Sequence, residues 1–370
     1  MNRRRAIAAL AAAAAAYPFR VSGNQGGVLP WSDLEPLPPR TRARYTDLTR
    51  ITGEVVPNGE FFVLHHGEVP DLEAPAFRLA IGRRGAPPIH TLGLDELAGL
   101  PRRESVAAFE CCGNGGVGMH GLVGAARWGG VSLAPLVEGL LDGHSREIVF
   151  FGADHAEERL RGNRYPGRFA RSLPVADALA PEVMLADTMN GEPLPPEHGG
   201  PLRLIVPGFY GVSQVKWVER IEVWPSRFAG WFQAKDYVTV RGTETPSGIL
   251  HTASAIGRMR LKSIVTRIEG AGGGDLAIHG LAWNDGASDV AGVEVSVDGN
   301  PFEQADLLPA GHRFGFRRFR LDWPAPAPGE HRLVSRARDA RGVQPTEEEA
   351  SRYKATPWEN NGQVVRRIRI

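Results

Sequence analysis

One residue in five of this chain interrupts regular structure: its 370 residues include 45 glycines and 29 prolines. Proline fixes φ and removes a backbone donor, and glycine enters turns at no steric cost. Many short strands joined by turns are therefore expected, rather than long helices. The length suits two domains. An apolar fraction of 42% and a charged fraction of 23% are those of a globular protein. Lys and Arg (43) nearly balance Asp and Glu (42), which leaves no electrostatic footprint for nucleic acid.

The only two cysteines are neighbours, Cys111 and Cys112. Adjacent cysteines bridge each other only through a strained ring, so no disulfide framework is expected. Neither a zinc-type Cys-x-x-Cys pair nor a haem-type Cys-x-x-Cys-His is present, so no haem is expected in this chain. The start, Met1-Asn2-Arg3-Arg4-Arg5-Ala6-Ile7, runs into an alanine block through Ala16. A basic start followed by an apolar stretch reads as a secretory signal over residues 1–22. The arginines resemble a twin-arginine signal, which exports folded proteins, although Ala6 stands where Phe is usual. That reading places the mature protein in the periplasm. The apolar run is too short for a membrane span, and no later segment qualifies.

Residues 23–40 are rich in Gly and Pro and are expected to wrap the surface as an extended arm. Strands are expected at Glu60–Leu64, Val106–Phe109, Glu147–Phe151 and Leu202–Val206, with short helices at Leu92–Leu100, Leu133–Leu141 and from Val175 to Leu179. Short strands and helices without a regular βαβ rhythm read as α+β over residues 23–242. Composition changes near Thr243, and strand signals then recur with turns between them. Val293–Val297 alternates and meets the turn pair Asp298-Gly299, and Phe319, Leu321 and Trp323 alternate likewise. About seven such segments over 243–370 suggest an immunoglobulin-like sandwich.

Cys111 lies where a strand ends and Gly113, Gly115 and Gly116 begin a closely approachable backbone. A thiolate there is a soft donor for a sulfur-loving metal, and nearby backbone amides favour its charged form. On these grounds alone a buried structural cysteine is the commoner case. A cysteine nucleophile paired with His65 or His120 is a further reading.

Several segments in order resemble the sulfite oxidase family of molybdenum-cofactor oxidoreductases. They are Phe61-Phe62-Val63-Leu64-His65-His66-Gly67-Glu68-Val69-Pro70; Phe109-Glu110-Cys111-Cys112-Gly113-Asn114-Gly115; Ala126-Arg127-Trp128-Gly129-Gly130; Met189-Asn190-Gly191 through Glu197-His198-Gly199; Pro201-Leu202-Arg203 through Pro207-Gly208; and Val215-Lys216-Trp217, with Trp231, Asp236 and Tyr237 behind. The resemblance implies a molybdopterin-binding oxidoreductase domain followed by an immunoglobulin-like dimerisation domain, and hence a homodimer. It implies Cys111 as the molybdenum ligand, with His66, Asp154, His198, Arg203, Ser213 and Lys216 holding the molybdopterin. Tyr237 would set its hydroxyl near the reacting oxygen. Cys112 stands where the family usually has a small apolar residue.

The implied activity is oxygen-atom transfer on a small substrate, sulfite or a related sulfur compound. Electrons would be exchanged with a separate protein of the cytochrome c type. Three arginines that hold sulfite in the family are absent, their places taken by Leu64, Gly116 and Asn361. That loss points away from a dianionic substrate. The alternatives are a reductase of a neutral sulfoxide or N-oxide, and a catalytically silent family member that binds the cofactor.

Overall fold

The computed structural model describes residues 27–33, 43–115, 120–160, 162–309 and 311–370. The leader over 1–22 and Gly116 lie outside the described residues. Strands dominate. Helices among the described residues are single turns of four or five residues: Leu94–Ala98, Ala134–Val137, Val175–Ala178, Trp231–Ala234 and Glu347–Ser351. The α+β expectation is thus corrected toward mostly β. Helices this short have no independent stability and persist only where packing holds them. The helix expected at Leu133–Leu141 shows why, because it tightens into a 3-10 turn at Glu138–Leu140 once Gly139 enters.

Two five-stranded sheets build the first unit. One is antiparallel throughout and contains Arg102–Glu110, Val123–Ser132, Met184–Met189 and Glu192–Pro193, with Arg203–Ile205 also pairing to Met184–Met189. The other runs His90–Leu92, Leu79–Arg83, Val218–Trp224, Glu147–Leu160, Asn163–Pro174; Leu79–Arg83 and Val218–Trp224 are its parallel pair. Ile81, Phe150 and Ile221 of the second sheet meet Val131, Leu185 and Leu204 of the first in one buried core. The strand expected at Glu147–Phe151 extends to Leu160 as one arm of a long hairpin. That expected at Glu60–Leu64 reduces to Val63–Leu64, because Asn58–Glu60 coils into a 3-10 turn.

Position 243 falls inside a hairpin formed by Val238–Thr245 and Gly248–Ala255. The next sheet begins at Lys262 and has eight strands, all antiparallel. Alternation places Ile268, Ile278 and Phe319 opposite Val295, Leu333 and Ile368 in a shared core. The turn at Asp298-Gly299 has φ of +56° and +78°, as a tight hairpin turn requires. Of the arm expected over 23–40, residues 27–33 lie against this sheet: Val28 bridges Glu269, and Trp31 bridges Ile368. The two units are welded together. One core cluster holds Phe109, Cys112 and Trp128 of the first with Ile264, Trp283 and Phe316 of the second.

Candidate active site

Cys111 follows directly on the strand Arg102–Glu110. Its N–H donates to Leu122 O (2.8 Å), and its carbonyl accepts from Asn114 N–H (2.9 Å), so the chain turns sharply at the cysteine. Cys111 is half-buried and Cys112 buried. The Cys112 thiol donates to the Cys111 sulfur, and the Gly113 N–H adds a second bond; these draw the Cys111 thiol down against the opposing push of burial. Burial and the same contact hold Cys112 well above the usual thiol range. The pair is therefore asymmetric: Cys111 is the more readily ionised thiol and Cys112 its donor.

Cys111 faces a cavity that also receives His66, Asp154, His198, Arg203, Lys216 and Tyr237. Seven of the eight candidate residues thus meet in one place although they come from six separate stretches of chain. Ser213 differs. It is buried in the 3-10 turn Gly211–Ser213, between the lining residues Val212 and Gln214, and does not line the cavity itself.

The cations in this cavity are held by carbonyl oxygens. Arg203 donates to His198 O (2.5 Å) and Gln214 O (3.1 Å), lies over Trp128 and Phe109, and leaves its buried Nε without a partner. Burial pushes it down to about 9, which leaves it charged near neutrality. Lys216 donates to Leu64 O and Glu197 O, both at 3.1 Å, and lies 2.6 Å from His65 Nδ1. Burial, helped by Arg203, pushes its ammonium well below the usual lysine range. Among the described residues neither cation has a carboxylate within ion-pair distance. Two enclosed basic groups without an ion-pair partner favour an anion from outside the chain.

Polar groups around them are prepared similarly. Asp154 keeps a buried Oδ1 without a partner, and burial raises its carboxyl. Such an oxygen suits a ring N–H. His198 Nε2 lies 2.9 Å from Asn58 O, which makes that nitrogen the protonated one, and burial pushes the ring down to about 4. Tyr237 Oη lies 2.8 Å from His66 Nε2, and the His66 ring stacks against both Phe169 and Phe232. Burial and the two cysteines hold the phenol above its usual value, so it remains a donor.

Several residues here escape a reading of the sequence. Arg44 reaches Glu197 and stands 3.3 Å from His198 Nε2. Arg171 is buried and donates to Phe232 O and Ile256 O. Because Ile256 N–H binds Tyr237 O, Arg171 clamps both flanks of Tyr237. Neither arginine sits in a motif; both act through partners distant in sequence, side chains for Arg44 and carbonyls for Arg171. His65, a possible base for a cysteine nucleophile, lies against Lys216, and His120, pushed down to about 3 by burial, does not line the cavity. Among the described residues no cluster of three or more His, Cys, Asp or Glu side chains is arranged to hold a bare metal ion. A readily ionised thiol, two basic groups without a carboxylate partner and an unpartnered carboxylate oxygen instead fit an anionic organic cofactor that brings a metal with it.

The oxidoreductase molybdopterin binding domain family matches residues 66–232, the segment that contributes most of this cavity. Sulfite oxidase of Gallus gallus is 31% identical over 317 residues, spanning 79% of this chain and 68% of that protein. This chain belongs to the sulfite oxidase family and is a molybdopterin-dependent oxidoreductase. Mitochondrial sulfite oxidase of Homo sapiens is also 31% identical, over 79% of this chain but 57% of its own length. The sulfane dehydrogenase SoxCD from Paracoccus pantotrophus superposes with a TM-score of 0.74 at 26% identity, covering 97% of this chain and 95% of that one. The sulfite oxidase family's fold is therefore shared along nearly the whole chain, although the human relative extends well beyond it.

Proposed function

We propose that this chain carries molybdenum as molybdopterin, with Cys111 the protein's ligand to the metal, and performs oxygen-atom transfer on a small sulfur compound. The observation that carries this reading is the pair Arg203 and Lys216, enclosed without a carboxylate partner beside a thiolate-favouring cysteine. When bound, the cofactor supplies the two-electron exchange of an oxygen atom. The chain's residues bind and orient. Arg203 and Lys216 hold the cofactor's negative charge, His198 and Asp154 take its polar edge, and Tyr237 keeps a proton aimed into the cavity. Electrons pass to or from a separate protein of the cytochrome c type.

Leu64 favours a substrate with less charge than sulfite. It lines the cavity where the family carries an arginine, and Asn361 is turned away to Leu261 O (3.2 Å). The Paracoccus pantotrophus relative is a sulfane dehydrogenase. A sulfane-type sulfur, uncharged at the reacting atom, suits an apolar wall, whereas sulfite needs cations that are committed to the cofactor.

The same reading has the chain exported in folded form through Arg3 and Arg4, and has the second unit act as an immunoglobulin-like sandwich that joins two copies. Cell fractionation and sedimentation check these two points. The central experiment is metal and pterin analysis of protein from a host that makes the cofactor. One molybdenum per chain is expected. Cys111→Ser is expected to abolish turnover while much pterin remains bound, because the anion is held elsewhere. An inactive Cys112→Ser beside a normal Cys111→Ser would reverse the ligand assignment.

A further inference from the structure

Behind Cys111, on the side away from the cavity, lies a buried ion pair that joins the two units. Glu110 and Lys262 side chains are 1% and 2% exposed, with Lys262 Nζ 2.6 Å from Glu110 Oε1. Two charges removed from water this completely persist only when every remaining hydrogen-bonding position is filled. They are filled here. Lys262 also donates to Asn360 O (2.9 Å) and, at the limit, Asn114 O (3.5 Å). Glu110 Oε1 accepts from Asn114 Nδ2 (2.9 Å), and Oε2 accepts from Trp283 Nε1 (3.0 Å). Asn114 Oδ1 in turn accepts from the Leu122 N–H (3.1 Å), beside the carbonyl that holds the Cys111 amide.

These contacts enclose the turn at residues 111–115 from behind. Glu110 precedes the cysteine and Asn114 closes the turn. Gly115, at φ +99°, brings its backbone so close that a Cβ there would stand 3.4 Å from Lys262 Nζ. Lys262 opens the second unit's sheet, and Trp283 and Asn360 belong to the same unit. None of the three faces the cavity.

We propose that Lys262, acting through Glu110 and Asn114, is a positioning residue for Cys111, so that the second unit fixes the direction in which the thiolate points. This inference rests on Cys111 being the metal ligand. A ligand's outer partners commonly contribute about 10- to 100-fold to affinity or activity by orienting it.

The test uses the full chain loaded with cofactor, as wild type, Glu110→Gln/Lys262→Met and Cys111→Ser. The double variant removes both charges together and so avoids leaving one buried alone. It is expected to fold, to keep its pterin, to show a changed paramagnetic resonance spectrum of the one-electron-reduced metal, and to lose turnover about 10- to 100-fold. A double variant with a wild-type spectrum overturns the proposal, even if it melts earlier, because a purely structural brace alters stability and leaves the metal's surroundings alone. Trp283→Phe, which withdraws only the donor to Glu110 Oε2, provides a gentler version should the double variant fail to fold. Its spectrum is expected to shift in the same sense, and an unshifted one counts against the role. Cys111→Ser with an unaltered metal spectrum would remove the ligand assignment and this proposal together, whereas an unaltered double variant alone removes only the positioning.

Discussion

At the scale of single residues, the cavity separates two kinds of charge. Arg203 and Lys216 lie enclosed in the fold, where on the proposed reading they hold the cofactor's anion, while the wall at Leu64 offers no charge. A charge-assisted hydrogen bond is worth roughly 1.5–3 kcal/mol, and each 1.4 kcal/mol is about tenfold in affinity. Leu64→Arg should therefore lower the Michaelis constant for sulfite by about tenfold or more, with little gain for a neutral sulfoxide. Steady-state kinetics on both substrates check this. A micromolar constant for sulfite in the wild type, unimproved by the arginine, would show that the pocket finds its charge elsewhere. His198 carries a prediction of another kind. Burial takes it from 6.5 to about 4, so between these values the unfolded chain binds a proton that the folded one refuses. Stability is then complete above pH 6.5 and is lost as pH falls toward 4, by roughly 3 kcal/mol in all. In cofactor-free protein, melting curves from pH 7 to 4 should fall more steeply for wild type than for His198→Gln. The two arginines that the sequence hides, Arg44 and Arg171, differ from Arg203 in a simple way. Arg203 stands in an ordered run of family-like residues, whereas theirs are isolated charges whose partners in the site, the His198 ring for Arg44 and the carbonyls of Phe232 and Ile256 for Arg171, lie 61 to 154 positions away.

At the scale of elements, the local signals that could be read are those whose cause is local. The turn at Asp298-Gly299 depends on two residues that tolerate positive φ, and it forms where expected. The outer half of the hairpin Glu147–Leu160 and Asn163–Pro174 could not be read, because Asn163–Tyr165 and their surroundings are exposed and polar and carry no alternation. The helix at Leu133–Leu141 was over-read for the complementary reason: its apolar spacing suggested more than two turns, but Gly139 leaves one α-turn and then a 3-10 turn, whereas the helix at Val175 ends within one residue of the expected Leu179. The short turn Pro196–His198 deserves a test because Gly199 ends it at φ +106°. A side chain there is strained by about 1–3 kcal/mol. Its Cβ would also stand 2.8 Å from Lys216 Cβ, against the residue proposed to face the cofactor's charge. Gly199→Ala should thus lower the melting temperature and reduce pterin content together. Full pterin content in a destabilised variant would show that Lys216 can yield without cost to binding.

At the scale of the whole molecule, the two units do not divide where composition changes, because their common core runs through Phe109, Cys112, Ile264 and Trp283. A fragment ending near 255 would expose that core and strip Glu110 of Lys262 and Trp283. The full chain should therefore unfold in a single transition, with calorimetric and van't Hoff enthalpies in agreement, and the fragment should not retain pterin. Two resolved transitions would separate the units. The same interleaving has a consequence in time. Ser32 N–H binds Arg367 O, and Asp33 receives the Arg367 N–H from 334 positions further along. At about 5–20 residues per second, a ribosome needs some tens of seconds to cover that distance. Until the strand that carries Thr266 and Glu269 emerges the leading segment has no seat, its last contacts wait for Arg367, and the cysteine turn waits for its brace until Lys262, and then Asn360, has emerged. Loading of the cofactor and closure of the chain around it thus compete on one clock, set by translation.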